Sequence, residues 1–185
     1  VYVTSIFAGI SGAPLKTYGL SLLITNAGQG PGGKSARLLA TRANTIVLDE
    51  DFFYKSEPQE ADLTDRPYSC LMVVIGSTDK GLGASGITIE DEIGFLKNVL
   101  QKAKAQNMKI VAVSLEADAR APKIPTNGNE RVIDLVCPQA DWIITLAANN
   151  ADEKFTNIGK QYNIPVTIVD KALDLVKVLP DIFVK

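Results

Sequence analysis

Six short apolar runs constrain the fold of this chain more than any other feature of its sequence. Each is rich in β-branched residues and continuous rather than alternating with polar residues, which is typical of strands buried on both faces of a parallel sheet. The runs are LSLLIT (20–25), TIVLD (45–49), CLMVVIG (70–76), KIVAVSL (109–115), DWIITLA (141–147) and PVTIVD (165–170).

Helical patterns separate these runs. The clearest covers 88–107, where Thr88 is suited to be the N-cap, Asp91 lies at the third helical position and lysines crowd the last turn. Strands that alternate with helices predict right-handed βαβ units. We therefore predict an α/β domain over 19–185 with a single doubly wound, mainly parallel sheet of the Rossmann-like or flavodoxin-like kind. The other predicted helices are 34–43, 129–136, 151–162 and 171–179.

Residues 1–18 do not fit the alternation, because an apolar, β-prone stretch is followed there by a turn-rich connector. This N-terminal arm is either an extra edge strand of its own sheet or a strand that adds to the sheet of another subunit. Its apolar contact residues would be Val1, Tyr2, Val3, Ile6, Phe7 and Ile10. The first residue is Val1 rather than Met, from which we expect either a removed signal peptide, and hence export, or a start trimmed in another way.

Composition narrows the function classes. A chain of 185 residues with 46% apolar residues has the size and core of one domain, and a net charge of −2 without a basic block disfavours nucleic acid as a partner. The apolar runs are too short to span a bilayer. The sequence contains no histidine, so the commonest general base and metal ligand is missing. We predict no metal site and lean toward a non-catalytic protein.

Two cysteines are present. Cys70 starts a predicted strand and Cys137 follows a predicted helix, so both are expected at the same edge of the sheet. They could form a disulfide in an exported protein, or they could be two buried free thiols.

The loop after the first long strand fits two nucleotide-binding patterns at once. Gly28, Gly30 and Gly33 match G-x-G-x-x-G, whereas Gly28, Gly33, Lys34 and Ser35 match the P-loop. In either case Asp49 would be the acidic partner, on a ribose or on magnesium. The third interpretation is a plain glycine-rich connection from a strand to a helix. No cofactor is predicted, and a nucleotide with magnesium is implied only by the nucleotide patterns.

A second glycine-rich loop, 75–86, follows the third predicted strand and should lie at the same edge of the sheet. Two helix N-termini and two lysines at one edge would favour a small anion. The residues of this anion site would be Gly28, Gly30, Gly33, Lys34, Ser35, Gly76, Ser77, Lys80 and Gly81. Glu116, Asp118 and Arg120 could reach the same crevice, but we interpret them as loop charges.

From about residue 20 to the end, the chain resembles a prokaryotic family known as domain of unknown function 6305. The motifs that carry the resemblance include ITNAGQG, CPQADWIIT and FTNIGKQYNIPVTIVDK, and the most specific is KGLGASGI at 80–87. The resemblance implies an exported or lipid-anchored single α/β domain of undefined activity. The chain departs from the family pattern in its GPGGKS cluster and in SLEADARAPK after the fourth strand.

Three functional hypotheses follow. The first is a non-catalytic exported protein that assembles with itself into an oligomer or filament through its arm. The second is a binding module for a small anionic ligand or nucleotide at the glycine-rich loops. The third is a P-loop nucleotidase that uses Lys34, Ser35 and Asp49.

Overall fold

The computed structural model describes residues 9–12 and 17–183. In this part of the chain, seven strands form one sheet in the order β1-β7-β6-β5-β4-β2-β3. Neighbouring strands are parallel except for β1, which runs antiparallel to β7. The strands are β1 Ile10–Gly12, β2 Leu22–Ala27, β3 Phe52–Tyr54, β4 Cys70–Ile75, β5 Lys109–Ser114, β6 Trp142–Leu146 and β7 Val166–Val169.

Helices cover both faces of this sheet, which confirms the predicted doubly wound α/β fold. α1 and α7 pack on one face, and α2, α4, α5 and α6 pack on the other. β2 and β4 are buried along their whole length, as their continuous apolar sequences predict. The helices of the described residues are α1 Gly32–Ala43, α2 Glu60–Thr64, α3 Asp79–Ser85, α4 Ile89–Ala105, α5 Gly128–Val136, α6 Lys154–Tyr162 and α7 Leu175–Ile182.

α4 begins as its sequence predicts. The Thr88 hydroxyl accepts a hydrogen bond from the Asp91 N–H at 3.1 Å, and the Asp91 carboxylate accepts one from the Thr88 N–H at 2.8 Å. This capping box satisfies two N–H groups at the start of the helix. It also fixes the first turn, from which Glu92 points into the protein.

The prediction of a strand at 45–49 is wrong. α1 ends at Ala43, its C-cap Asn44 is in a left-handed conformation, and Asp49 also has a positive φ of 64°. The segment between them folds into a turn in which the Val47 carbonyl oxygen accepts hydrogen bonds from Asp51 and Phe52. The second strand of the parallel sheet is therefore β3, just after the turn.

The described part of the N-terminal arm lies on the sheet of its own chain. Ile10 pairs with Val169 of β7 and is buried in the core. The other predicted arm residues, Val1, Tyr2, Val3, Ile6 and Phe7, lie outside the described residues. β1 is thus an extra edge strand.

Cys70 and Cys137 are both buried free thiols. Cys70 packs in the core on the α1 side of the sheet, whereas Cys137 packs in the core on the opposite side. The disulfide expectation is wrong because the sheet itself separates the two sulfur atoms. Burial raises the pKa of both thiols, which keeps them protonated at neutral pH.

Within the described ranges, no helix is both long and apolar enough to cross a membrane. Over the same ranges, no three Cys, Asp or Glu side chains are grouped in a way that could hold a metal ion.

Candidate functional site

The two glycine-rich loops meet at the carboxyl edge of the sheet, over neighbouring strands. Residues 28–31 follow β2 and residues 76–78 follow β4. β3 lies on one side of β2 and β4 on the other, so the strand order reverses here. Open α/β sheets bind ligands in the crevice outside such a switch point. The predicted placement of both loops at one edge is confirmed.

The two loops are tied directly to each other. The Gly30 N–H donates to the carbonyl oxygen of Gly76 at 2.9 Å, and the Gly76 N–H donates to the carbonyl oxygen of Ala27 at 2.9 Å. Gly28 has a φ of 90°, and a Cβ there would lie 2.5 Å from the Cα of Ser77. The backbones approach so closely that only glycine fits at residue 28.

The carboxylate of Glu116 lies where an external anion was predicted. Its Oε1 accepts a hydrogen bond from the Gly32 N–H at 2.6 Å, at the first residue of α1. Burial raises the pKa of Glu116, and the bond from Gly32 opposes that rise only in part. A Cβ at Gly30, Gly32 or Gly76 would collide with this carboxylate, so the glycines make room for it.

A second carboxylate, that of Glu92, enters the same loop from α4. Glu92 is 2% exposed, and its Oε1 accepts a hydrogen bond from the Gly28 N–H at 2.7 Å. The Gln29 amide donates to Glu57 at 2.7 Å, beside Glu92. Burial raises the pKa of Glu92, while the Gly28 bond works in the opposite direction.

These contacts contradict the nucleotide interpretations of the loop. The N–H groups of Gly28, Gly30 and Gly32 already have acceptors within the chain, whereas both fingerprints need free N–H groups to cradle phosphate. Asp49 precedes β3 and therefore lies at the amino edge of the sheet, because Phe52 pairs with Leu22 at the start of β2. It cannot act on a ligand at the carboxyl edge.

The remaining predicted anion-site residues divide into three exposed side chains and two residues, Ser77 and Gly81, that pack against the first loop. Lys34, Ser35 and Lys80 are exposed, and neither lysine has an ion-pair partner among the described residues. The Gly81 N–H bonds to the Thr78 hydroxyl at 3.0 Å and so caps the short helix α3. Ser77 is buried, and its N–H donates to the Asn129 side chain at 2.9 Å.

Gly33 lies in the first turn of α1 for a packing reason. A Cβ at this position would collide with the side-chain oxygen of Asn26, which is at the end of β2. The helix can therefore approach the strand only with glycine at this residue. The structure brings Gly28, Gly30, Gly33, Gly76 and Ser77 together, but as a packed junction rather than an open cradle.

The other half of the carboxyl edge, over β5 and β6, is built on buried ion pairs. Arg120 donates from Nε to Glu130 at 2.7 Å and from Nη2 to Asp152 at 2.7 Å. Lys154 contacts Glu130 at 2.9 Å and Asp134 at 2.8 Å. The side chains of Arg120 and Glu130 are 5% and 2% exposed, so this network fixes the two loops from inside.

Charge pairing decides the protonation of this network. Burial works to raise the pKa of Glu130, but hydrogen bonds from Arg120 and Lys154 outweigh it and hold the pKa below its usual value. The pKa of Arg120 is raised because its two carboxylate partners outweigh its burial. Arg120, Glu130 and Lys154 are therefore charged near neutral pH.

A cavity of about 510 Å³ opens between the loop after β5 and the loop after β6. The ion-paired Arg120 and Asp152 line it, Asn149 is buried beside it, and the rest of the wall is mostly apolar. Asn149 donates to the Ser114 hydroxyl at 2.8 Å and anchors the second loop to the end of β5. The lining residues are Arg120, Ala121, Pro122, Lys123, Ile124, Ala148, Asn149, Ala151 and Asp152.

The interpretation of Glu116 and Arg120 as loop charges is wrong, and Glu130 and Asn149 were missed. Of the three loop residues, Asp118 alone is exposed, and it has no hydrogen-bond or ion-pair partner among the described residues. The signal was present, since LEADAR and AANNADEK put polar residues directly after two buried strands. Their partners lie far away in sequence, so their roles could not be read from spacing.

The fold and the carboxyl edge of its sheet together define a doubly wound α/β domain with a flavodoxin-like strand order. The chain belongs to the family described as "Domain of unknown function (DUF6305)", which matches residues 20–183. This confirms the resemblance found from the sequence motifs. Among curated proteins, none matches the sequence.

Three solved structures show a distant similarity. Esterase EstA from a Pseudoalteromonas species is 12% identical with a TM-score of 0.33, covering 80% of this chain and 76% of that chain. TesA is 14% identical with a TM-score of 0.32, covering 79% and 77%. A GDSL-like lipase from Bacteroides thetaiotaomicron is 9% identical with a TM-score of 0.33, covering 79% and 66%. Identity and TM-score are both low, so these alignments say nothing about activity.

Proposed function

We propose that this protein is a non-catalytic binding domain that holds a small ligand in the cavity over β5 and β6. The observation that carries the proposal is the cavity itself, about 510 Å³ at the carboxyl edge of the sheet. Ligand pockets usually measure about 300–1,000 Å³ and favour this edge in α/β folds. Ion pairs with Glu130 and Asp152 fix the lining residue Arg120 in place, which lowers the cost of ordering on binding.

The lining indicates the chemistry of the ligand. Ala121, Pro122 and Ile124 offer an apolar wall, whereas Arg120 and Asp152 neutralise each other. Lys123 also lines the cavity and has no ion-pair partner among the described residues. A compact molecule with an apolar body and one negative group fits this arrangement. The proposal keeps the predicted anionic ligand but moves it away from the glycine-rich loops.

The same lining argues against catalysis. Among the described residues, the lining holds no serine, threonine, cysteine or tyrosine that could act as a nucleophile, and the sequence supplies no histidine. Arg120 has its nitrogens on Glu130, Asp152 and the Asn149 carbonyl oxygen, so it has little capacity left for a reacting group. Binding without chemistry is the function that these residues support.

Amide chemical-shift mapping with a panel of small apolar carboxylates, each beside its uncharged amide analogue, tests the proposal. We expect the carboxylates to shift the amide signals of residues 120, 121, 123, 124 and 148–152. Ala148→Trp should block the cavity and abolish those shifts, whereas Ala105→Trp, at the exposed end of α4, should leave them intact. Lys123→Gln should weaken the binding of the carboxylates by up to about fivefold. If no compound perturbs these residues, the proposal fails.

Self-assembly through the N-terminal arm stays a prediction, as does export. β1 lies on β7 of its own chain, and any exchange between copies would have to remove it from that edge. Measuring the mass in solution of the whole chain and of a form lacking residues 1–12 addresses the point. Assembly through the arm predicts that the whole chain is an oligomer and that the shortened form is not. The same oligomeric state in both forms would contradict it.

A further inference from the structure

Glu116 holds an unusual position for an acidic side chain of the loop after β5. Its carboxylate accepts a hydrogen bond of 2.6 Å from the Gly32 N–H, in the first turn of a helix of 12 residues. N–H groups in this turn have no partner within the helix and carry its positive dipole. No lysine or arginine pairs with Glu116 among the described residues, so the Gly32 N–H is the group that holds the carboxylate.

The glycines around this carboxylate leave space for it and for little else. A Cβ at Gly30 would lie 2.6 Å from one Glu116 oxygen, and a Cβ at Gly32 would lie 2.5 Å from the other. A Cβ at Gly76 would clash directly with a carboxylate oxygen of Glu116. Three glycines from two loops thus surround one planar group, and their N–H and C=O groups tie the loops together.

Glu116 also begins the loop whose later residues form a wall of the cavity. The segment 120–124 is held at Arg120 by the ion-pair network. Glu116 is its second anchor, on the other side of the short 3₁₀ helix Ala117–Ala119. A carboxylate in the glycine junction therefore fastens the β5 loop to α1.

We propose that the glycine-rich loop is a carboxylate-binding cradle whose occupant is Glu116 of the same chain. The side chain acts as an internal plug: it excludes external anions and holds the β5 loop against the start of α1. Without the plug, the cradle accepts a small free carboxylate such as acetate or formate. The inference does not depend on a ligand in the cavity over β5 and β6.

Replacement of the plug tests this directly. Glu116→Ala, in chloride, should melt roughly 4–8 °C below the unmodified protein, since a charge-assisted hydrogen bond is lost. Acetate at the same ionic strength should raise that melting temperature by several degrees, because it binds only the folded state. Asp118→Ala, two residues away on the same loop, is the matched control and should respond to acetate no more than the unmodified protein does.

Two further measurements separate a filled cradle from general stabilisation by salt. In Glu116→Ala, acetate should shift the Gly32 amide signal and slow deuterium uptake across 117–127, and chloride should do neither. Glu116→Gln keeps the shape and an acceptor oxygen, so it should fold and stay insensitive to acetate. If Glu116→Ala does not fold in chloride, acetate should restore folding.

Equal effects of acetate and chloride on Glu116→Ala overturn the proposal, as does an equal acetate response in the unmodified protein. Failure of Glu116→Ala to fold in either salt also overturns it. None of these readouts involves a ligand of the larger cavity. Binding of apolar carboxylates there can therefore succeed while the cradle fails, or the reverse.

Discussion

The two halves of the carboxyl edge hold their glutamates in opposite ways. Over β2 and β4, Glu92 and Glu116 accept hydrogen bonds from backbone N–H groups, and burial raises their pKa values. Over β5 and β6, Glu130 is paired with Arg120 and Lys154, and its pKa is lowered. We call these the glycine half and the ionic half.

The difference shows that a few N–H groups do not replace a counter-ion. One or two backbone bonds leave part of the desolvation cost of a carboxylate uncompensated, whereas two cations overcome it. The glycine half is consequently specified by close packing, because its glycines leave no room for side chains. The ionic half is specified by charge, so its shape depends on keeping both signs present.

The largest effect should come from removing the charge of one partner of a buried ion pair in the ionic half. Arg120→Met leaves Glu130 buried without its main partner, and we expect a loss of about 3–5 kcal/mol in the free energy of unfolding. The double variant Arg120→Met/Glu130→Leu removes both charges and should recover most of that loss. Urea unfolding measures all three proteins. A double variant as unstable as the single one would contradict specification by charge.

In the glycine half, the largest effect should come from adding one carbon atom. Gly28→Ala combines a φ of 90° with a Cβ only 2.5 Å from the Cα of Ser77, and neither backbone can move aside without breaking the junction. We expect a loss of about 3 kcal/mol. Gly83→Ala is the control, since a Cβ there has nothing within 4 Å. A similar cost for both substitutions would mean that the junction is not tightly packed.

Local sequence patterns were enough to predict the sheet and its main helices. The apolar runs at β2, β4, β5, β6 and β7 each became a strand, because continuous burial on two faces leaves a signal within a few residues. Thr88 and Asp91 similarly marked the start of α4 three residues apart. The prediction of a strand at 45–49 failed because this run is equally apolar but folds into a turn after Asn44.

The site could not be predicted in the same way, since its contacts join distant parts of the chain. Glu116 and Gly32 are 84 positions apart, and Gly28 and Glu92 are 64 apart. The glycine pattern showed that something must approach the backbone closely at this loop. It could not show that the approaching group is a carboxylate of the protein rather than a phosphate.

The pH dependence of stability should have opposite signs in the two halves. A raised pKa in the folded state favours the protonated form, so the contribution of Glu92 declines as pH rises through that pKa. Glu92→Gln should therefore gain stability relative to the unmodified protein as pH rises from acid, through the ordinary carboxyl pKa, toward neutral. Urea unfolding across this range measures the difference.

Glu130→Gln is the matched variant from the ionic half. The folded-state pKa of Glu130 is lowered, so its contribution is present above the ordinary carboxyl pKa and is lost as pH falls through the lowered value. Glu130→Gln should cost most near neutral pH and progressively less in acid. If both variants show the same slope against pH, the contrast between backbone-held and ion-paired carboxylates is wrong.

The smallest expected effect distinguishes glycines that the junction needs from one that it does not. Gly94 lies in α4, two residues after Glu92, and a Cβ there has nothing within 4 Å. Gly94→Ala should raise the free energy of unfolding by about 0.5–1 kcal/mol, because alanine loses less backbone entropy in a helix. Chemical shifts of the Gly28 amide should stay unchanged, since the Glu92 contact is untouched. A loss of stability, or a shifted Gly28 signal, would show that the packing requirement of the glycine half extends along α4 beyond its first turn.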